Sequence, residues 1–299
     1  MGDNCFYKYL GLKNDRKQTA RAQFLENCLF RFTQPNQLND PFEVNPQILV
    51  DEDAKEDLES AYQEMERAGI PPDQRDRLLP LFLRPALRRM TVEEFPTLAY
   101  PEGIISLKEL DAHNARKELE RLLKHINETY GFFCLAESAT NRTMWSHYAQ
   151  DHKGIVVGFD AKHPFFQDSR DLYPVEYSDE RLSLSSHNGM LRLAGALYSS
   201  KSHYKDLPVR LFLRKDLSWR DEKEWRMVGK LEECNHHDPN TLVYLFKVPR
   251  EAIRMVVLGA NISDYNETLV RNMATAWSEV KIMKARLRDR GFELEIVES

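Results

Sequence analysis

The sequence predicts an α+β fold built on a central sheet that is mixed or antiparallel. Apolar runs rich in Val and Ile, such as Ile155–Phe159 and Met255–Leu258, are typical of buried strands. Residues 28–33 alternate apolar and polar side chains with the period of a strand. Residues 51–128 are instead rich in Glu, Arg, Leu and Lys at helical spacing. We therefore expect a single α+β domain over residues 1–299, with a helical insertion at 51–128.

The chain is predicted to open with a β–α–β segment. Residues 5–10 and 28–33 are expected to be strands, and residues 15–27 between them a helix. Asn14 and Asp15 favour the start of this helix because their side chains are good N-caps.

The segment QPNQLNDPFE, residues 34–43, is predicted to be a rigid loop after the second strand. Asp40 precedes Pro41 and is therefore biased towards an extended conformation. Asn39 and Asp40 can close local turns on the backbone, and Phe42 is expected to pin the loop into the core.

Shorter elements are predicted along the remainder of the chain. A short capped helix is expected at 140–152, partly helical structure broken at Pro208 within 193–218, and one helix over 263–289. Strands are expected at 131–138, 153–160, 175–179, 224–231, 241–248, 252–259 and 292–298.

The composition favours a globular protein of a reducing cytoplasm. Of the residues 42% are hydrophobic and 30% charged, and no apolar run approaches the roughly 20 residues that span a bilayer. No secretory signal is expected from the first residues, MGDNCFYKYL. The four cysteines are scattered without a CxxC pair, which argues against a disulfide framework or a zinc site. The net charge is −5, and we interpret the basic stretches at 83–90 and 284–290 as solvated faces.

The stretch MWSHYAQDHKG, residues 144–154, groups chemically useful side chains on one short helix. Met144, His147, Tyr148 and Asp151 share a face, and Trp145 lies on the adjoining one. The His-Tyr pair beside a tryptophan could hold an aromatic ligand by stacking and hydrogen bonding. Alternatively, His147 is a half-buried structural histidine and Trp145 a core residue.

The stretch WRDEKEWR, residues 219–226, holds two of the four tryptophans and two closely spaced carboxylates. On a strand, Glu222, Glu224 and Arg226 would share one face, with Trp225 on the other. Arg226 could simply neutralise Glu224 in a structural ion pair. Alternatively, one carboxylate is kept ionised to stabilise a developing cation.

Two more groups are candidates on the opening strands and loop. Asn39, Asp40 and Glu43 offer polar groups from a rigid loop, where binding residues are common, although a structural turn explains them equally. Tyr7 and Tyr9 share one face of the first strand and Lys8 points to the other, the alternative being core tyrosines with a solvated lysine.

Several common motifs do not occur in the sequence. His236 and His237 are adjacent and cannot easily chelate one ion, and there is no HExxH, so no metal site is predicted. The sequence has no GxxxxGK[ST], GxGxxG or GxSxG either, which argues against a P-loop, a Rossmann pyrophosphate site or a nucleophile elbow.

Taken in order, these motifs resemble the bacterial domain of unknown function 2971 family. The matching pieces are Y-K-Y, N-D-P-F-E, M-W-x-H-Y followed by H-x-G, and W-x-x-E-x-E-W-R. In this sequence they are Tyr7, Lys8, Tyr9, Asn39, Asp40, Pro41, Phe42, Glu43, Met144, Trp145, His147, Tyr148, His152, Gly154, Trp219, Glu222, Glu224, Trp225 and Arg226.

More distantly, the order of parts is similar to ADP-ribosyltransferases of the DNA-modifying toxin type, some of which carry an E-x-E pair like Glu222-Lys223-Glu224. The resemblance implies an ADP-ribosyltransferase-like fold with NAD as substrate. It implies that Glu224, or secondly Glu222, stabilises an oxocarbenium-like transition state as nicotinamide leaves. His147 is a third candidate catalytic residue.

The same resemblance assigns contacts with NAD to the other motifs. His147 and Tyr148 would contact NAD, Trp145 would line or support the nicotinamide pocket, and Lys8 or Tyr9 would hold the diphosphate or ribose. Further expected cofactor-binding residues are Tyr7, Asn39, Asp40 and Arg226, with Asn39 and Asp40 shaping the loop over the cofactor.

The leading hypothesis is thus NAD-dependent ADP-ribosyl transfer or NAD hydrolysis in a cytoplasmic toxin or anti-phage effector. The expected partners are NAD, a nucleic-acid or protein acceptor and a regulatory or antitoxin partner, with no membrane. A non-catalytic ligand- or protein-binding module is the alternative, and a metal-dependent nuclease or hydrolase using Asp40, His147 and Glu224 is another. The site hypothesis requires Asn39, His147, Glu222 and Glu224 to converge on one cleft.

Overall fold

The computed structural model describes most of the chain in several separate stretches. These are residues 5–12, 27–49, 63, 66–67, 69, 71–73, 107–167, 172–185, 207–238, 240, 242–274 and 279–299. The chain divides into two compact units, one comprising Met1–Val44, Ile126–Glu180 and Phe212–Ser299 and the other comprising Asn45–His125 and Arg181–Leu211. The single domain with an insertion at 51–128 stays a prediction, and most of that segment lies outside the described residues.

The described elements alternate strands with a few helices. The helices are α1 (Leu107–Thr129), α2 (Arg142–Tyr148), α3 (Leu207–Leu213) and α4 (Asp264–Ala274). The strands are β1 (Cys5–Leu10), β2 (Leu29–Phe32), β3 (Gln47–Leu49), β4 (Tyr130–Ala136), β5 (Ile155–Asp160), β6 (Leu172–Pro174), β7 (Glu176–Ser178), β8 (Ser183–Ser185), β9 (Arg214–Asp216), β10 (Glu224–Lys230), β11 (His236–Asp238), β12 (Val243–Lys247), β13 (Ile253–Leu258), β14 (Lys281–Leu287) and β15 (Leu294–Glu298).

The first unit is organised around an eight-stranded mixed sheet in the order β15-β14-β13-β5-β1-β4-β10-β6. The β13–β14 pair is parallel and the other neighbouring strands are antiparallel. A separate three-stranded sheet has the order β11-β12-β2. The expectation of an α+β fold with a large mixed sheet is therefore confirmed.

The strand β4 belongs to the main sheet and also forms a bridge to the residue that follows β2. It pairs with β1 at Tyr7–Ala136, the one register position that joins these two described strands. Further along, Phe132 forms an isolated bridge with Thr33, which follows β2. Because β1 and β2 approach different ends of β4, the strands diverge around Cys134.

Apolar side chains cover both faces of the main sheet. One face carries a cluster that includes Phe133, Phe159 and Met227, and the other a cluster that includes Trp145 and Val257. Tyr7 and Tyr9 belong to the second cluster, as their shared strand face predicts. This burial of apolar surface is the main force that holds the sheet together.

Described parts of the second unit form smaller elements. The strands β3 and β8 pair in parallel, with Ile48 opposite Leu184. Leu119 and Leu122 of α1 are both buried.

Two local predictions are wrong. The segment 263–289 is not one helix: α4 ends at Ala274 and β14 follows, because pairing with β13 and β15 overrides the helical propensity of KIMKARL. The break expected at Pro208 stays a prediction, because residues 193–206 lie outside the described residues and α3 is described only from Leu207. Phe42 is 60% exposed and does not enter the core. The helix expected at 15–27 lies outside the described residues except for Asn27.

Candidate functional site

A pocket of about 210 Å³ lies where β1, β2 and β4 diverge. Its lining residues all belong to the first unit. They are Tyr7, Lys8, Tyr9, Arg31, Thr33, Gln37, Leu38, Asn39, Cys134, Leu135, Met144, Tyr148, Lys215, Glu222, Glu224 and Arg226.

The two closely spaced glutamates reach the pocket from different elements. Glu222 ends a 3₁₀ helix, Leu217–Glu222, whereas Glu224 begins β10. Lys223 between them has a left-handed φ of 46° and donates its backbone N–H to Arg220 O at 3.2 Å. The strand therefore starts at Glu224, as predicted, and Glu222 does not share a strand face with Glu224 and Arg226, because it belongs to the preceding 3₁₀ helix.

Lys215 holds the two pocket carboxylates together. Its Nζ donates to Glu222 Oε2 at 2.6 Å and to Glu224 Oε2 at 3.1 Å. It also lies 3.4 Å from Glu43 Oε1 and 5.0 Å from the centre of the Trp219 ring. A lysine buried in this way is stable only because several carboxylates surround it.

Arg226 is fully buried and binds the same acidic group from the other side. Its Nε donates to Glu224 Oε1 at 2.7 Å and its Nη2 to Glu224 Oε2 at 2.9 Å. Its Nη1 donates to Phe212 O at 2.9 Å, and its Nη2 also donates to Glu43 Oε2. Each guanidinium nitrogen therefore has a partner, which leaves Arg226 to neutralise carboxylates rather than a ligand.

The five charged groups form a buried ion cluster of Glu43, Lys215, Glu222, Glu224 and Arg226. Burial alone would raise the pKa of Glu224, but Arg226 and Lys215 outweigh it and hold that pKa well below its usual range. Burial would likewise lower the pKa of Lys215, but Glu224, Glu43 and Glu222 raise it overall. Glu43 differs from Glu224, because burial raises the pKa of Glu43 overall although Arg226 and Lys215 act to lower it.

Neutral groups complete the environment of the two pocket carboxylates. The Tyr148 hydroxyl donates to Glu222 Oε1 at 2.7 Å, and burial followed by the charge of Glu222 raises the pKa of this phenol. The backbone N–H of Glu224 donates to the Tyr177 hydroxyl at 2.8 Å. Burial raises the pKa of Tyr177 to about 12. Burial, with the nearby charge of Glu224, also raises the pKa of Cys134 to about 12.

The structure brings most of the predicted site residues to the pocket. Tyr7, Lys8, Tyr9, Asn39, Tyr148, Glu222, Glu224 and Arg226 all line it. Asn39, Glu222 and Glu224 converge on the pocket, but His147 does not, so the requirement that all four residues meet is not fulfilled. Their roles towards a ligand stay predictions.

Three predicted site residues do not line the pocket. His147 is exposed, with its ring 6.0 Å from the Trp219 ring and 6.2 Å from the Tyr148 ring. Asp40 is buried and accepts the backbone N–H of Phe42 at 2.9 Å, which is the predicted local turn. Trp145 is fully buried and donates its indole N–H to Ala139 O at 2.7 Å. Trp145 packs at 5.5 Å against Tyr9, so it supports the pocket wall from behind.

Sequence reasoning missed Arg31, Cys134 and Lys215. Lys215 precedes Glu222 by seven residues and belongs to a different element, β9. In the sequence, Arg31 is only a polar residue of an alternating strand, and Cys134 is one of four scattered cysteines. No local spacing pattern identifies these residues, because the chain segments that carry them meet only in the folded unit.

Across the residues that the structure describes, no group of three or more His, Cys, Asp and Glu side chains could hold a metal ion. Within the same residues, none of the helices is both long enough and apolar enough to cross a membrane.

The fold and the site define a class of protein: an α+β protein with a pocket between diverging strands and a buried ion cluster at its wall. Residues 144–227 match the model of the family described as Protein of unknown function (DUF2971). This match runs from α2 to β10 and includes Tyr148, Lys215, Glu222 and Arg226. The expected resemblance to this family is therefore confirmed for residues 144–227. Comparisons with curated proteins and with solved structures gave no significant match.

Proposed function

We propose that this protein is an ADP-ribosyltransferase-like enzyme that binds NAD in the pocket and cleaves its bond between nicotinamide and ribose. The observation that carries the proposal is the convergence of two carboxylates, three tyrosines and four cationic side chains on one pocket. Carboxylates would stabilise positive charge on the ribose, aromatic rings would contact the nicotinamide, and cations would bind phosphate.

The volume of the pocket fits a part of a dinucleotide rather than the whole molecule. Its volume of about 210 Å³ is below the roughly 300–1,000 Å³ of typical sites for drug-sized ligands. We therefore assign the pocket to the nicotinamide–ribose half of NAD, with the adenosine half outside it. Tyr7, Tyr9 and Tyr148 supply the aromatic surface for that half.

The two carboxylates differ in how completely their charge is neutralised. Both oxygens of Glu224 accept hydrogen bonds from Arg226, and Oε2 also accepts one from Lys215. Glu222 has one cationic partner, Lys215, which it shares with Glu224, and its second partner is the neutral phenol of Tyr148. Glu224 was the first residue expected to stabilise the ribosyl cation. On electrostatic grounds we give this role to Glu222 and give Glu224 the role of holding Lys215 and Arg226 in place.

The reaction breaks the C–N bond between the ribose and the nicotinamide, and nicotinamide leaves with the bonding electron pair. Water or a hydroxyl or amine of an acceptor then forms a bond to the same ribose carbon and loses a proton to solvent. Glu222 would stabilise the positive charge that develops on the ribose between these events.

Nicotinamide release tests the proposal directly. Purified protein is incubated with NAD, alone and with DNA, RNA or cell lysate, and free nicotinamide is measured by chromatography. We expect release by the wild type and a decrease of about 10²- to 10³-fold in kcat for Glu222→Gln. Glu232→Gln, which changes an exposed glutamate outside the pocket, is the matched control and should retain the wild-type rate. Absence of both release and a melting-temperature shift with NAD under every condition would overturn the proposal.

A non-catalytic binding module is the second candidate, and the complete pairing of Glu224 and Arg226 favours it. A carboxylate that is fully held by cations can be a structural part of a pocket wall. This candidate predicts that a ligand raises the melting temperature, while nicotinamide release stays at the background rate for wild type and Glu222→Gln alike.

The biological setting follows only from the proposed chemistry. An enzyme that consumes NAD or modifies an acceptor would suit a cytoplasmic toxin or anti-phage effector, with a nucleic acid or protein as acceptor. Such an enzyme needs a regulatory or antitoxin partner. Release that appears only with DNA, RNA or a lysate fraction would identify the class of acceptor.

A further inference from the structure

The buried ion cluster contains one carboxylate that the proposed chemistry does not use. Glu43 follows the 3₁₀ helix Pro35–Gln37 along the chain and does not line the pocket. Its side chain is fully buried and faces Lys215 from β9, and Arg226 and Glu224 from β10. Glu43 can therefore act on the pocket only through the charged groups that it contacts.

The charges of the buried ion cluster do not balance when every group is ionised. Its three carboxylates exceed its two cations by one negative charge. A single proton on one carboxylate would make the cluster neutral. Burial, which raises the pKa of Glu43, favours that proton on Glu43.

One oxygen of Glu43 is available for this proton. Glu43 Oε2 accepts from Arg226 Nη2, whereas Glu43 Oε1 accepts no hydrogen bond within the described residues. Oε1 lies 3.4 Å from Lys215 Nζ, which donates instead to Glu222 Oε2 at 2.6 Å and to Glu224 Oε2 at 3.1 Å. An ammonium has three donors, so the third donor of Lys215 can bind Glu43 Oε1 once that oxygen is charged.

We propose that Glu43 is a positioning residue that draws Lys215 towards itself when it loses its proton, and so leaves the negative charge of Glu222 less compensated. Both effects of this ionisation act in the same direction. Lys215 is then shared among three carboxylates instead of two, and the cluster that contains Glu222 gains a negative charge. The shift of Lys215 is a property of the cluster itself, and its effect on catalysis rests on the proposed function. A more negative Glu222 would stabilise the ribosyl cation better, so nicotinamide release should rise with pH as Glu43 ionises.

Nuclear magnetic resonance of the Lys215 ammonium group tests this positioning without NAD. The full chain is labelled with ¹⁵N-lysine, and the signal of Lys215 is identified by its loss in Lys215→Arg. Burial acts to lower the pKa of Lys215, but Glu224, Glu43 and Glu222 raise it overall, so the ammonium stays charged between about pH 4 and 8. We expect its ¹⁵N chemical shift to titrate in the wild type. This titration should be lost in Glu43→Gln, because the amide imitates the protonated acid.

Glu232→Gln is the matched control, because Glu232 is exposed and does not line the pocket. It removes the same charge and should retain the titration of the Lys215 signal. A cooperative unfolding transition shows that each variant is folded. A wild-type Lys215 signal that is independent of pH would overturn the positioning role, and this measurement needs no folded variant. A titration that persists in folded Glu43→Gln would overturn it as well.

The rate of nicotinamide release is the second readout. In the wild type, kcat should rise over the pH range in which the Lys215 signal titrates. Glu43→Gln should lose this rise and keep the KM for NAD, because Glu43 does not line the pocket. A Lys215 titration that depends on Glu43, without nicotinamide release, would retain the control of Lys215 by Glu43 and overturn NAD cleavage. Release with the same pH dependence in the wild type and in Glu43→Gln would retain the cleavage and overturn the role of Glu43.

Discussion

Lys215 Nζ lies 2.6 Å from Glu222 Oε2, and this contact joins the two motifs of the pocket wall. The same ammonium donates to Glu224 Oε2 at 3.1 Å, so one lysine orients both pocket carboxylates. The buried ion cluster contains three carboxylates and two cations, so the compensation of the negative charges depends on both cations. Removal of one partner from such a group leaves a buried charge without compensation.

Lys215→Met is therefore expected to destabilise the protein strongly. It leaves Glu222 without a cation and Arg226 as the one cation for three carboxylates, at a cost of about 3–5 kcal/mol in the free energy of unfolding. Lys215→Arg keeps the positive charge and should lower the free energy of unfolding clearly less. Urea unfolding measures both variants, with Lys162→Met as the control for loss of an exposed lysine. A Lys215→Met protein within about 1 kcal/mol of the wild type would show that the cluster contributes little to stability.

The parts of the fold that sequence predicts well are those encoded by local periodicity. The period-2 pattern of CLFRFT predicts β2, whose Phe30 and Phe32 are buried while Arg31 is only half-buried. The same reasoning predicts that Trp225 lies on the face opposite Glu224. In the structure its indole N–H donates to Glu137 Oε1 at 2.9 Å and its ring lies 5.1 Å from Phe6.

The parts that sequence misses depend on contacts between distant segments. β14 resembles a helix in composition, but pairing with β13 and β15 fixes it as a strand. Glu43 and Arg226 meet across 183 positions of sequence, and neither residue indicates the other locally.

The raised pKa of Glu43 predicts a characteristic dependence of stability on pH. Burial raises this pKa, opposed by Arg226 and Lys215 and assisted by Glu224. The folded state therefore holds the Glu43 proton more tightly than the unfolded state, in which the pKa is about 4.3. The contribution of this proton to the free energy of unfolding is fully present below a pH of about 4.3. It is lost as the pH rises through the pKa of Glu43 in the folded state.

Glu43→Gln removes this titration and is the variant that checks it. The wild type should lose stability relative to Glu43→Gln as the pH is raised from about 4 to 8, measured as the difference between their free energies of unfolding in urea. Glu232→Gln, at an exposed glutamate, should show no such trend. A difference that instead moves in favour of the wild type with rising pH would mean that Arg226 dominates and lowers the pKa of Glu43.

Gly154 is predicted to tolerate no side chain, because backbone atoms surround its Cα. A Cβ at this position would overlap Leu10 O and lie 2.9 Å from Ala149 O. The preceding residues Gln150, Asp151 and His152 all have left-handed φ values, and the Gly154 N–H donates to Ala149 O at 2.8 Å to close this turn. We expect Gly154→Ala to cost at least about 2 kcal/mol in the free energy of unfolding.

Gly291→Ala is the comparison that separates overlap from backbone strain. Gly291 has a φ of +83°, but no atom of the described residues beyond its chain neighbours lies within 4 Å of the position that a Cβ would occupy there. A side chain at Gly291 would therefore cause backbone strain without steric overlap. Its replacement should cost about 1 kcal/mol. Equal costs in the two variants, measured by urea unfolding, would contradict the steric role of Gly154.

Cys134 lines the pocket, yet its thiol is predicted to react slowly. Burial and the charge of Glu224 raise its pKa to about 12, against about 8.5 for an ordinary cysteine. At a pH of about 8 the reactive thiolate is therefore about a thousandfold less abundant than in an unfolded chain. Iodoacetamide labelling followed by peptide mass spectrometry should show this difference at Cys134 between native protein and protein in urea.

Glu224→Gln links this reactivity to the buried ion cluster. The substitution removes the carboxylate that raises the pKa of Cys134, while Arg226 and Lys8, which lower it, remain. Labelling of Cys134 in the folded variant should therefore accelerate, whereas Glu232→Gln should leave it unchanged. A folded Glu224→Gln protein, verified by its cooperative unfolding, with Cys134 labelled at the wild-type rate would mean that burial alone protects the thiol. In that case the negative charge of Glu224 would not affect the Cys134 thiol. The Glu224 carboxylate would then act only as the partner of Arg226 and Lys215.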